Sequence, residues 1–241
     1  MKNLKGKTAI ITGGGTGVGR AIATTLVEEG VNVLLASRTK DHLIDTANQL
    51  NKIGKGKAIT ASLDVRDKEN CIKVAQLAVK EFGSIDFLVN NAGLGVGSLV
   101  KDTTEADWDK VIDTNLKGTF FMMQSVLPTM IDQESGFILN IASQAAKRGY
   151  AQAGPYCASK FGVVGLGDAL QEEVYEHGIT VHSLCPALIQ TPAPTSEEDR
   201  DYNVLQVEDL AETVAYLFKM PERVKIDDIG LYARPKSRTR V

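Results

Sequence analysis

A phenol and an amine stand four residues apart in the stretch GPYCASKFG, residues 154 to 162; they belong to Tyr156 and Lys160. On a helix, side chains at positions i and i+4 share one face, so the two groups could act together. A tyrosine has an ordinary pKa of about 10, and a neighbouring positive charge lowers it toward the range where proton transfer is easy. Such a pair could deliver a proton to a developing alkoxide. The spacing alone is weak evidence, because a chain with six tyrosines and many lysines often shows it by chance.

A glycine cluster, TGGGTGVG at residues 12 to 19, follows an apolar run of strand length and opens a helical pattern. Its spacing differs from G-x-G-x-x-G, but glycines here still permit a tight turn, close approach of backbone N–H groups to a phosphate, and a helix N-terminus facing it. A glycine cluster alone is more often a plain turn; its position at the first strand-to-helix junction favours a dinucleotide site. The cofactor contacts expected from this loop are Gly13, Gly15, Thr16, Gly17, Val18 and Gly19.

The residues after the second strand, ASRTK, distinguish between the two nicotinamide dinucleotides. An acidic residue at this point would bind the ribose 2′-hydroxyl and repel a 2′-phosphate. Ser37 and Arg38 stand there instead, and the first carboxylate, Asp41, falls in the next helix. Arginine makes charge-assisted hydrogen bonds to phosphate, although a solvated arginine at a helix start is the alternative. The sequence therefore predicts NADP(H) as the cofactor.

These residues need a scaffold, and strand-length apolar runs alternate with longer helical patterns along the chain. The strand-like runs are KTAII, VNVLLA, KAITASL, IDFLVN, GFILNIA, ITVHSLC and DDIGLYA. Helical patterns cover about residues 17–29, the forties, residues 67–82, the stretch WDKVIDTNLKGTFFMMQSVLPTM, residues 156–177 and the stretch VEDLAETVAYLFKM. Continuous apolar strands between helices indicate a parallel sheet covered on both faces. We therefore predict α/β architecture: a single doubly wound Rossmann-type domain over residues 1–241, with a seven-stranded parallel sheet.

Composition narrows the class of protein further. With 241 residues, 43% of them hydrophobic, and a net charge of −3, the chain gives no reason to expect nucleic-acid or membrane binding. No apolar span approaches the length of a signal peptide or a transmembrane helix. Cys71, Cys157 and Cys185 are odd in number and widely spaced, which argues against disulfides or zinc and favours the cytoplasm. The three histidines form no metal-spaced cluster, so no metal site is expected.

Five motifs in this order resemble the short-chain dehydrogenase/reductase superfamily: TGGGTGVG, NNAG at residues 90–93, Asn115, Ser143 and YCASK at residues 156–160. The resemblance covers about residues 5–232 and is strongest to the branch of 3-oxoacyl-[acyl-carrier-protein] reductases. It implies an NADP-dependent oxidoreductase that acts on CH–OH groups, a carbonyl reductase transferring hydride from the nicotinamide to a ketone. The cofactor contacts that it implies beyond the glycine loop are Ser37, Arg38, Asp64, Val65, Asn91, Ala92, Gly93, Tyr156, Lys160, Pro186, Ala187, Ile189 and Thr191.

The same resemblance implies roles for four catalytic residues. Tyr156 is the proton donor or acceptor, and Lys160 holds the nicotinamide ribose and tunes Tyr156. Ser143, at the end of GFILNIAS, hydrogen-bonds the substrate oxygen. Asn115 shapes its helix and holds a water for proton relay, a role that rests on the other motifs because a lone mid-helix Asn is usually a surface residue.

Of the expected cofactor contacts, one departs from the family's usual residue and one has a second interpretation. The family usually has Pro-Gly after the sixth strand, whereas this chain has Pro186 followed by Ala187, and alanine lacks the freedom of glycine at positive φ. Asp64, taken to close the third strand, resembles the adenine contact of the family but could equally cap the next turn.

The substrate is less sharply defined. Residues 94–96, residues 145–148 and Tyr150 are expected to line its pocket. An acyl-carrier protein is acidic and needs a basic docking surface, yet MIDQESG and LQEEVYEHG are acidic and Glu172 stands where the family offers an Arg. The basic tail ARPKSRTRV is more typical of a solvated terminus, so binding of an acyl-carrier protein is disfavoured. The alternatives are a broad-specificity ketone or aldehyde reductase for small molecules and, more remotely, a non-catalytic NADP(H)-binding sensor.

Oligomeric state follows from the resemblance alone. Members of the family pair through the long helices that begin near Trp108 and Tyr156, which implies a homodimer or homotetramer. The apolar face of LKGTFFMMQSVL is compatible with such pairing, but it equally describes a helix packed on its own sheet.

Overall fold

The structure, a computed structural model, describes residues 2–221, 223–224, 226 and 228–234. Within them the chain forms a seven-stranded, all-parallel sheet with the order β3-β2-β1-β4-β5-β6-β7. The strands are β1 (Thr8–Thr12), β2 (Asn32–Ser37), β3 (Ala58–Ser62), β4 (Phe87–Asn90), β5 (Gly136–Ile141), β6 (Ile179–Pro186) and β7 (Asp228–Leu231). The α-helices of the described part are α1 (Gly17–Glu28), α2 (Lys40–Ile53), α3 (Lys68–Phe82), α4 (Glu105–Ile112), α5 (Gly118–Asp132), α6 (Gly154–Val174) and α7 (Val207–Phe218). The start of the predicted DDIGLYA strand, residue 227, and residues 235–241 of the basic tail lie outside the described residues.

The core lies in two layers, one on each face of the sheet. Strands such as β1, with the sequence TAIIT, are buried along their whole length, as the continuous apolar runs predict. Helices α1, α2 and α7 cover one face through side chains such as Leu26, Leu43 and Leu210. Helices α3, α5 and α6 cover the other face through side chains such as Val74 and Met122. The predicted doubly wound α/β architecture is confirmed.

The strand order reverses beside β1, which pairs with β2 on one side and with β4 on the other. From β1 the chain runs outward through β2 and β3, and then returns to place β4 against the other edge of β1. In open parallel sheets the loops diverge at such a point and leave a crevice at the carboxyl ends of the strands. The glycine loop follows β1, and the NNAG motif begins at the last residue of β4, so both lie at this crevice.

Helix ends agree with local signals in the sequence. Helix α3 begins after Asp67, whose side chain accepts a hydrogen bond from the Asn70 N–H. Helices α2 and α3 end at Gly54 and Gly83, both at positive φ, a conformation that glycine adopts at little cost. The third strand is shorter than predicted: β3 ends at Ser62, so residues 64–65 lie in the loop that follows it.

The helix predicted over WDKVIDTNLKGTFFMMQSVLPTM is helical throughout but includes one π-helical turn. A π-helical turn, Asp113–Lys117, separates α4 from α5. It holds Asn115, which is 1% exposed and faces the interior rather than the surface. Such turns are often found at functional sites. The turn continues into Gly118, where a Cβ would lie 2.6 Å from the Val65 side chain, so α5 begins tight against the loop after β3.

Candidate active site

Two adjoining cavities open at the carboxyl edge of the sheet. The smaller, of about 200 Å³, lies over the loops after β1, β2 and β3. The larger, of about 940 Å³, lies over the loops after β4, β5 and β6. Gly93 and Leu94 line both cavities, which therefore form one elongated cleft across the point where the strand order reverses.

The predicted site residues converge on this cleft. Those that line the smaller cavity are Gly13, Gly15, Thr16, Ser37, Arg38, Asp64, Val65, Ala92 and Gly93. Those that line the larger cavity are Val18, Asn91, Gly93, Ser143, Tyr156, Lys160, Pro186, Ala187, Ile189 and Thr191. Three predicted residues, Gly17, Gly19 and Asn115, line neither cavity, so any role for them is exerted through their neighbours.

Glycine is required at one position of the loop after β1 and at one position in the first turn of α1. Gly13 has a φ of +66°, and its N–H donates to the carbonyl oxygen of Ala36, 2.7 Å away. A Cβ on Gly19 would lie 2.3 Å from the Gly13 carbonyl oxygen and 2.7 Å from Asn91 Nδ2. Since the first of these neighbours is backbone, a side chain at Gly19 would displace the loop itself. The glycines thus allow helix α1 to begin directly beneath the cleft.

The glycine loop and the NNAG motif are bonded to each other through Thr12. Its hydroxyl oxygen accepts the N–H groups of Asn91 and Ala92 at 3.0 and 2.9 Å, and Asn91 Nδ2 donates to the Thr12 carbonyl oxygen at 2.9 Å. Thr12 was not predicted as a site residue. A β-branched residue that ends a buried strand is ordinary, so no sequence pattern distinguishes it.

The N-terminus of α1 is suited to an anion. Its cap residue, Thr16, makes no side-chain capping hydrogen bond, and the first turn carries no acidic residue. The first N–H groups of a helix lack partners within the helix, and the helix dipole favours negative charge at this end. Thr16 itself lines the smaller cavity, so these donors adjoin the cleft.

Two charged side chains line the smaller cavity near the loops after β2 and β3: Asp64 is in an ion pair, whereas Arg38 is in none with the described residues. Arg66 binds the Asp64 carboxylate at 2.6 Å, and this hydrogen-bonded pair holds the pKa of Asp64 below its usual value, with a further contribution from the positive charge of Arg38. The Asp64 carboxylate also accepts the Arg66 N–H at 3.0 Å, so Asp64 does cap the turn, and it lines the cavity as well. Arg38 lines the cavity too and forms no ion pair with any described residue. His42 and Thr114, neither of which was predicted as a site residue, also line the cavity.

Tyr156 and Lys160 lie on the first turns of α6 and face the larger cavity. Lys160 is 6% exposed, and its ammonium donates to the Ile141 carbonyl oxygen at 2.7 Å. Its Nζ atom is 5.7 Å from the centroid of the Tyr156 ring. The spacing of four residues therefore places both groups on one face, as predicted.

The pKa values of this pair differ from the sequence-based expectation. Burial raises the pKa of Tyr156 above its usual value, and a hydrogen bond with Ser143 opposes that rise. Burial lowers the pKa of Lys160 to about 8. Burial is the largest cause of the shift at Tyr156, so without a cofactor the pKa of this residue lies above its usual value and not below it as expected.

Asn115 connects two elements behind the cleft. Its side-chain oxygen accepts the Leu94 N–H at 2.9 Å, and its Nδ2 donates to the Leu94 carbonyl oxygen at 2.8 Å and to Ser159 Oγ at 3.0 Å. The Ser159 hydroxyl in turn donates to the Tyr156 carbonyl oxygen at 2.7 Å. The π-helical turn thus fixes the loop after β4 against the start of α6.

A second connection supports the loop after β5. Gln144, which directly follows Ser143, donates through Nε2 to the Cys185 carbonyl oxygen at 2.6 Å. The hydroxyl of Tyr232, just beyond β7, donates to the Gln144 side-chain oxygen, and Tyr232 lines the larger cavity. Tyr232 was not predicted, because this contact joins residues 88 positions apart.

Ala187 fits its loop without the freedom of glycine. Outside glycine, the described residues with positive φ are Glu134 and Gln152, so Ala187 has an ordinary backbone conformation. Its N–H donates to the Leu231 carbonyl oxygen at 2.8 Å, as part of the junction with β7. The departure from Pro-Gly therefore causes no backbone strain here.

Most of the residues that were expected to line a substrate pocket line the larger cavity. Leu94, Val96, Ala145, Arg148 and Tyr150 line the larger cavity, together with other residues of the same loops. Two members of the predicted stretch do not line it: Ala146 is buried against Ala142 and Cys185, and Lys147 forms an ion pair with Asp228 at 3.1 Å.

In the described part of the chain, no helix is both long enough and apolar enough to cross a bilayer. Nor do three or more His, Cys, Asp or Glu side chains of those residues cluster in a way that could hold a metal ion.

The chain is similar to known oxidoreductases. The family model described as short chain dehydrogenase matches residues 7–201. An uncharacterized oxidoreductase of Staphylococcus aureus (strain USA300) is 35% identical over 229 residues, which cover 95% of this chain and 98% of the relative. A variant of the actinorhodin polyketide ketoreductase, solved with NADPH, superposes with a TM-score of 0.86 at 32% identity and covers 94% and 96% of the two chains. An alcohol dehydrogenase from the archaeon Thermococcus sibiricus, complexed with 5-hydroxy-NADP, gives a TM-score of 0.87 at 26% identity and covers 96% and 99%.

Proposed function

The chain belongs to the short-chain dehydrogenase family, and on that premise we propose that it is an NADPH-dependent reductase of small-molecule ketones or aldehydes. The observation that carries the proposal is that Ser143, Tyr156 and Lys160 line one cavity that continues into the glycine-loop cavity. A binding protein without turnover would not need a proton donor, a hydrogen-bond donor and a buried ammonium at one point.

The residues present fit a nicotinamide dinucleotide. The glycine loop and the uncapped N-terminus of α1 offer backbone N–H groups to a pyrophosphate. We assign the adenine to Asp64 and Val65, which line the smaller cavity, and the nicotinamide ribose to Lys160, which lines the larger one. Pro186, Ala187, Ile189 and Thr191 would border the nicotinamide end. When bound, the cofactor supplies the hydride.

The protein residues would supply the proton and hold the substrate oxygen. We assign to Ser143 a hydrogen bond to the carbonyl oxygen, and to Tyr156 the transfer of its phenolic proton to that oxygen as negative charge develops. Burial raises the pKa of Tyr156, so the phenol holds its proton at neutral pH, as reduction requires. Lys160 stabilises the resulting phenolate through its positive charge. Asn115 is a positioning residue that keeps the Tyr156 backbone and the loop after β4 in register.

A free small molecule is a better substrate than a thioester on an acyl-carrier protein. Glu172, Glu173 and Glu176 are exposed near the end of α6, where an acidic carrier would need basic partners. Like charges facing each other across an interface cost affinity. The actinorhodin ketoreductase supports a ketone as the reacting group.

The experiment that tests this proposal follows the oxidation of NADPH and of NADH with a panel of ketones, aldehydes and 3-oxoacyl thioesters. Turnover of small carbonyl compounds with NADPH supports it. Binding of NADPH without turnover of any carbonyl compound would favour the non-catalytic sensor. Efficient turnover only of carrier-bound thioesters would contradict the small-molecule assignment.

The cofactor preference gives a sharper prediction at Arg38. Arg38→Ala is expected to raise the Kd for NADPH about tenfold or more, because it removes a charge-assisted contact to the 2′-phosphate. The Kd for NADH should change by less than about twofold, since NADH lacks that phosphate. Both constants can be measured by quenching of protein fluorescence.

Lys52→Ala serves as the matched control, because Lys52 is an exposed cation at the opposite end of α2. It should leave both constants unchanged. Equal Kd values for NADPH and NADH in the wild type, or equal losses for both in Arg38→Ala, would contradict the assignment.

We propose that the protein forms a homodimer or homotetramer. Phe120 on α5 and Phe161 on α6 are 41% and 48% exposed, and Trp108 on α4 is 44% exposed, which supports pairing through this side. The mass in solution, measured by light scattering, should be at least twice the chain mass of 26.0 kDa. Phe161→Arg should lower it, since a charge at the centre of an apolar interface is costly. A wild-type protein with the mass of one chain would contradict this proposal.

We also propose the cytoplasm as its compartment. Cys71, Cys157 and Cys185 are free and buried, which suits a reducing environment.

A further inference from the structure

The charged side chains that line the larger cavity all carry a positive charge. Among the described residues that line it, Lys160 and Arg148 are cationic and none is acidic. Much of the remaining lining is apolar and includes Leu94, Val96 and Leu188. A cavity of this kind favours a ligand that combines a hydrocarbon portion with a negative charge.

Arg148 is the cation of this cavity that remains available to a ligand. The Lys160 ammonium is directed to the Ile141 carbonyl oxygen, and the proposed function already uses it. Lys147, next to Arg148, is neutralised by Asp228 at 3.1 Å. No described acidic residue forms an ion pair with Arg148.

Tyr150 binds one edge of the Arg148 guanidinium. Its Nε donates to the Tyr150 hydroxyl at 2.8 Å, and its central carbon lies 5.1 Å from the centroid of the Tyr150 ring. Its Nη1 and Nη2 atoms make no hydrogen bond with any described residue. Two adjacent N–H donors on a planar group match the two oxygens of a carboxylate. Tyr150 therefore orients an arginine whose opposite edge is free for bidentate binding.

The position of Arg148 in the chain relates it to the reacting centre. It lies on the same loop after β5 as Ser143, and its N–H donates to the Gln144 carbonyl oxygen at 3.3 Å. The proposed cofactor contacts, by contrast, lie mainly on the loops after β1, β2, β4 and β6. Arg148 thus belongs to the substrate side of the cleft.

We propose that Arg148 binds a carboxylate of the substrate, so that the enzyme reduces oxo acids: ketones or aldehydes that carry a carboxylate on the same small molecule. The inference rests on the proposed function and names its substrate class. A carboxylate carries a single charge, which one arginine can balance. A phosphate dianion would call for several cations, and the described lining offers none beyond Arg148 and the already bonded Lys160.

The test compares oxo acids with their primary amides. A series in which one to four carbons separate the ketone from the carboxylate is assayed with saturating NADPH, each acid beside the amide of equal size. The wild type should prefer the best acid over its amide. Arg148→Gln should lower kcat/KM for that acid about five- to tenfold, mainly through KM, and change kcat/KM for the amide by less than about twofold.

Lys147→Gln is the matched control, since it removes the neighbouring positive charge that Asp228 already neutralises. Its acid-to-amide preference should equal that of the wild type. Tyr150→Phe should reduce the preference in part, because it removes the acceptor that orients Arg148. A second readout that does not depend on turnover is the calorimetric affinity of the complex with NADP⁺ for the corresponding hydroxy acid, which Arg148→Gln should weaken by a similar factor.

Several outcomes separate this inference from the proposed function. If the wild type reduces neutral ketones at least as well as the matched acids, the carboxylate assignment is overturned while the reductase assignment stands. Equal losses on acid and amide in Arg148→Gln would make Arg148 a structural residue and overturn the inference. When 3-oxoacyl coenzyme A thioesters, whose charges are phosphates, are assayed beside the acids, a loss confined to these thioesters would overturn the choice of a carboxylate. If no carbonyl compound is reduced, the proposed function itself fails.

Discussion

Replacing Tyr156 by Phe is expected to lower kcat for ketone reduction by about 10²–10⁴-fold, because the substitution removes the phenolic proton that we propose is transferred to the carbonyl oxygen. The ring remains, so its packing beside Gly95 is kept, and the Kd for NADPH should stay within about threefold of the wild type. Steady-state kinetics with saturating NADPH measure the first quantity, and fluorescence titration measures the second.

Tyr175→Phe is the matched control for this substitution. Tyr175 follows the same helix α6 but is 71% exposed and lines neither cavity, so loss of its hydroxyl should leave kcat unchanged. A fully active Tyr156→Phe enzyme would remove the proposed proton donor. A variant that loses NADPH binding and thermal stability together with activity would indicate a structural role for the hydroxyl instead.

Features that depend on local sequence could be predicted closely. The positions of the strands, the glycine loop and the Tyr156–Lys160 pair follow from apolar runs, from glycine spacing and from helical periodicity, each readable within a few turns of chain. The parallel order of the sheet follows from the connection rules for alternating strands and helices. Gly19 is an example, because the glycine motif that contains it can be recognised in the sequence. The close approach of the Gly13 carbonyl oxygen, which is the reason that glycine is required there, becomes visible only in the structure.

Features that depend on distant contacts could not be predicted. The π-helical turn at Asn115 forms where its side chain finds Leu94 and Ser159, which lie 21 and 44 residues away. The contact of Tyr232 with Gln144 requires β7 to be placed beside β6 at the edge of the sheet. No local pattern announces either contact, because each partner is ordinary for its own segment.

The electrostatics of the site also depend on the folded surroundings. The sequence predicts a lowered pKa for Tyr156, since only the neighbouring Lys160 is visible in it. The structure adds burial, which raises the pKa of Tyr156 and lowers that of Lys160 to about 8. Desolvation acts on both groups against their charged forms, and it cannot be estimated from spacing.

Lys160→Met should lower kcat/KM by about 10²–10⁴-fold, because it removes the positive charge that we propose stabilises a phenolate at Tyr156. The Kd for NADPH should also rise, since Lys160 is assigned to the cofactor ribose. Methionine has a similar length and no charge, so it can occupy the same buried space beside Ile141 without introducing a polar group. Full activity of this variant would exclude Lys160 from the chemistry.

The same substitution has a consequence for stability that does not depend on turnover. The pKa of Lys160 is about 8 in the folded protein and near 10.5 in the unfolded chain, so the unfolded chain binds more protons between these pH values. The free energy of unfolding of the wild type should therefore rise, relative to Lys160→Met, by about 2 kcal/mol between pH 8 and pH 10. Urea unfolding of both proteins without cofactor measures this difference, in which the titrating groups that do not interact with Lys160 cancel. Lys73→Met, at an exposed position of α3, should run parallel to the wild type, and a parallel profile for Lys160→Met would mean that the ammonium is not desolvated.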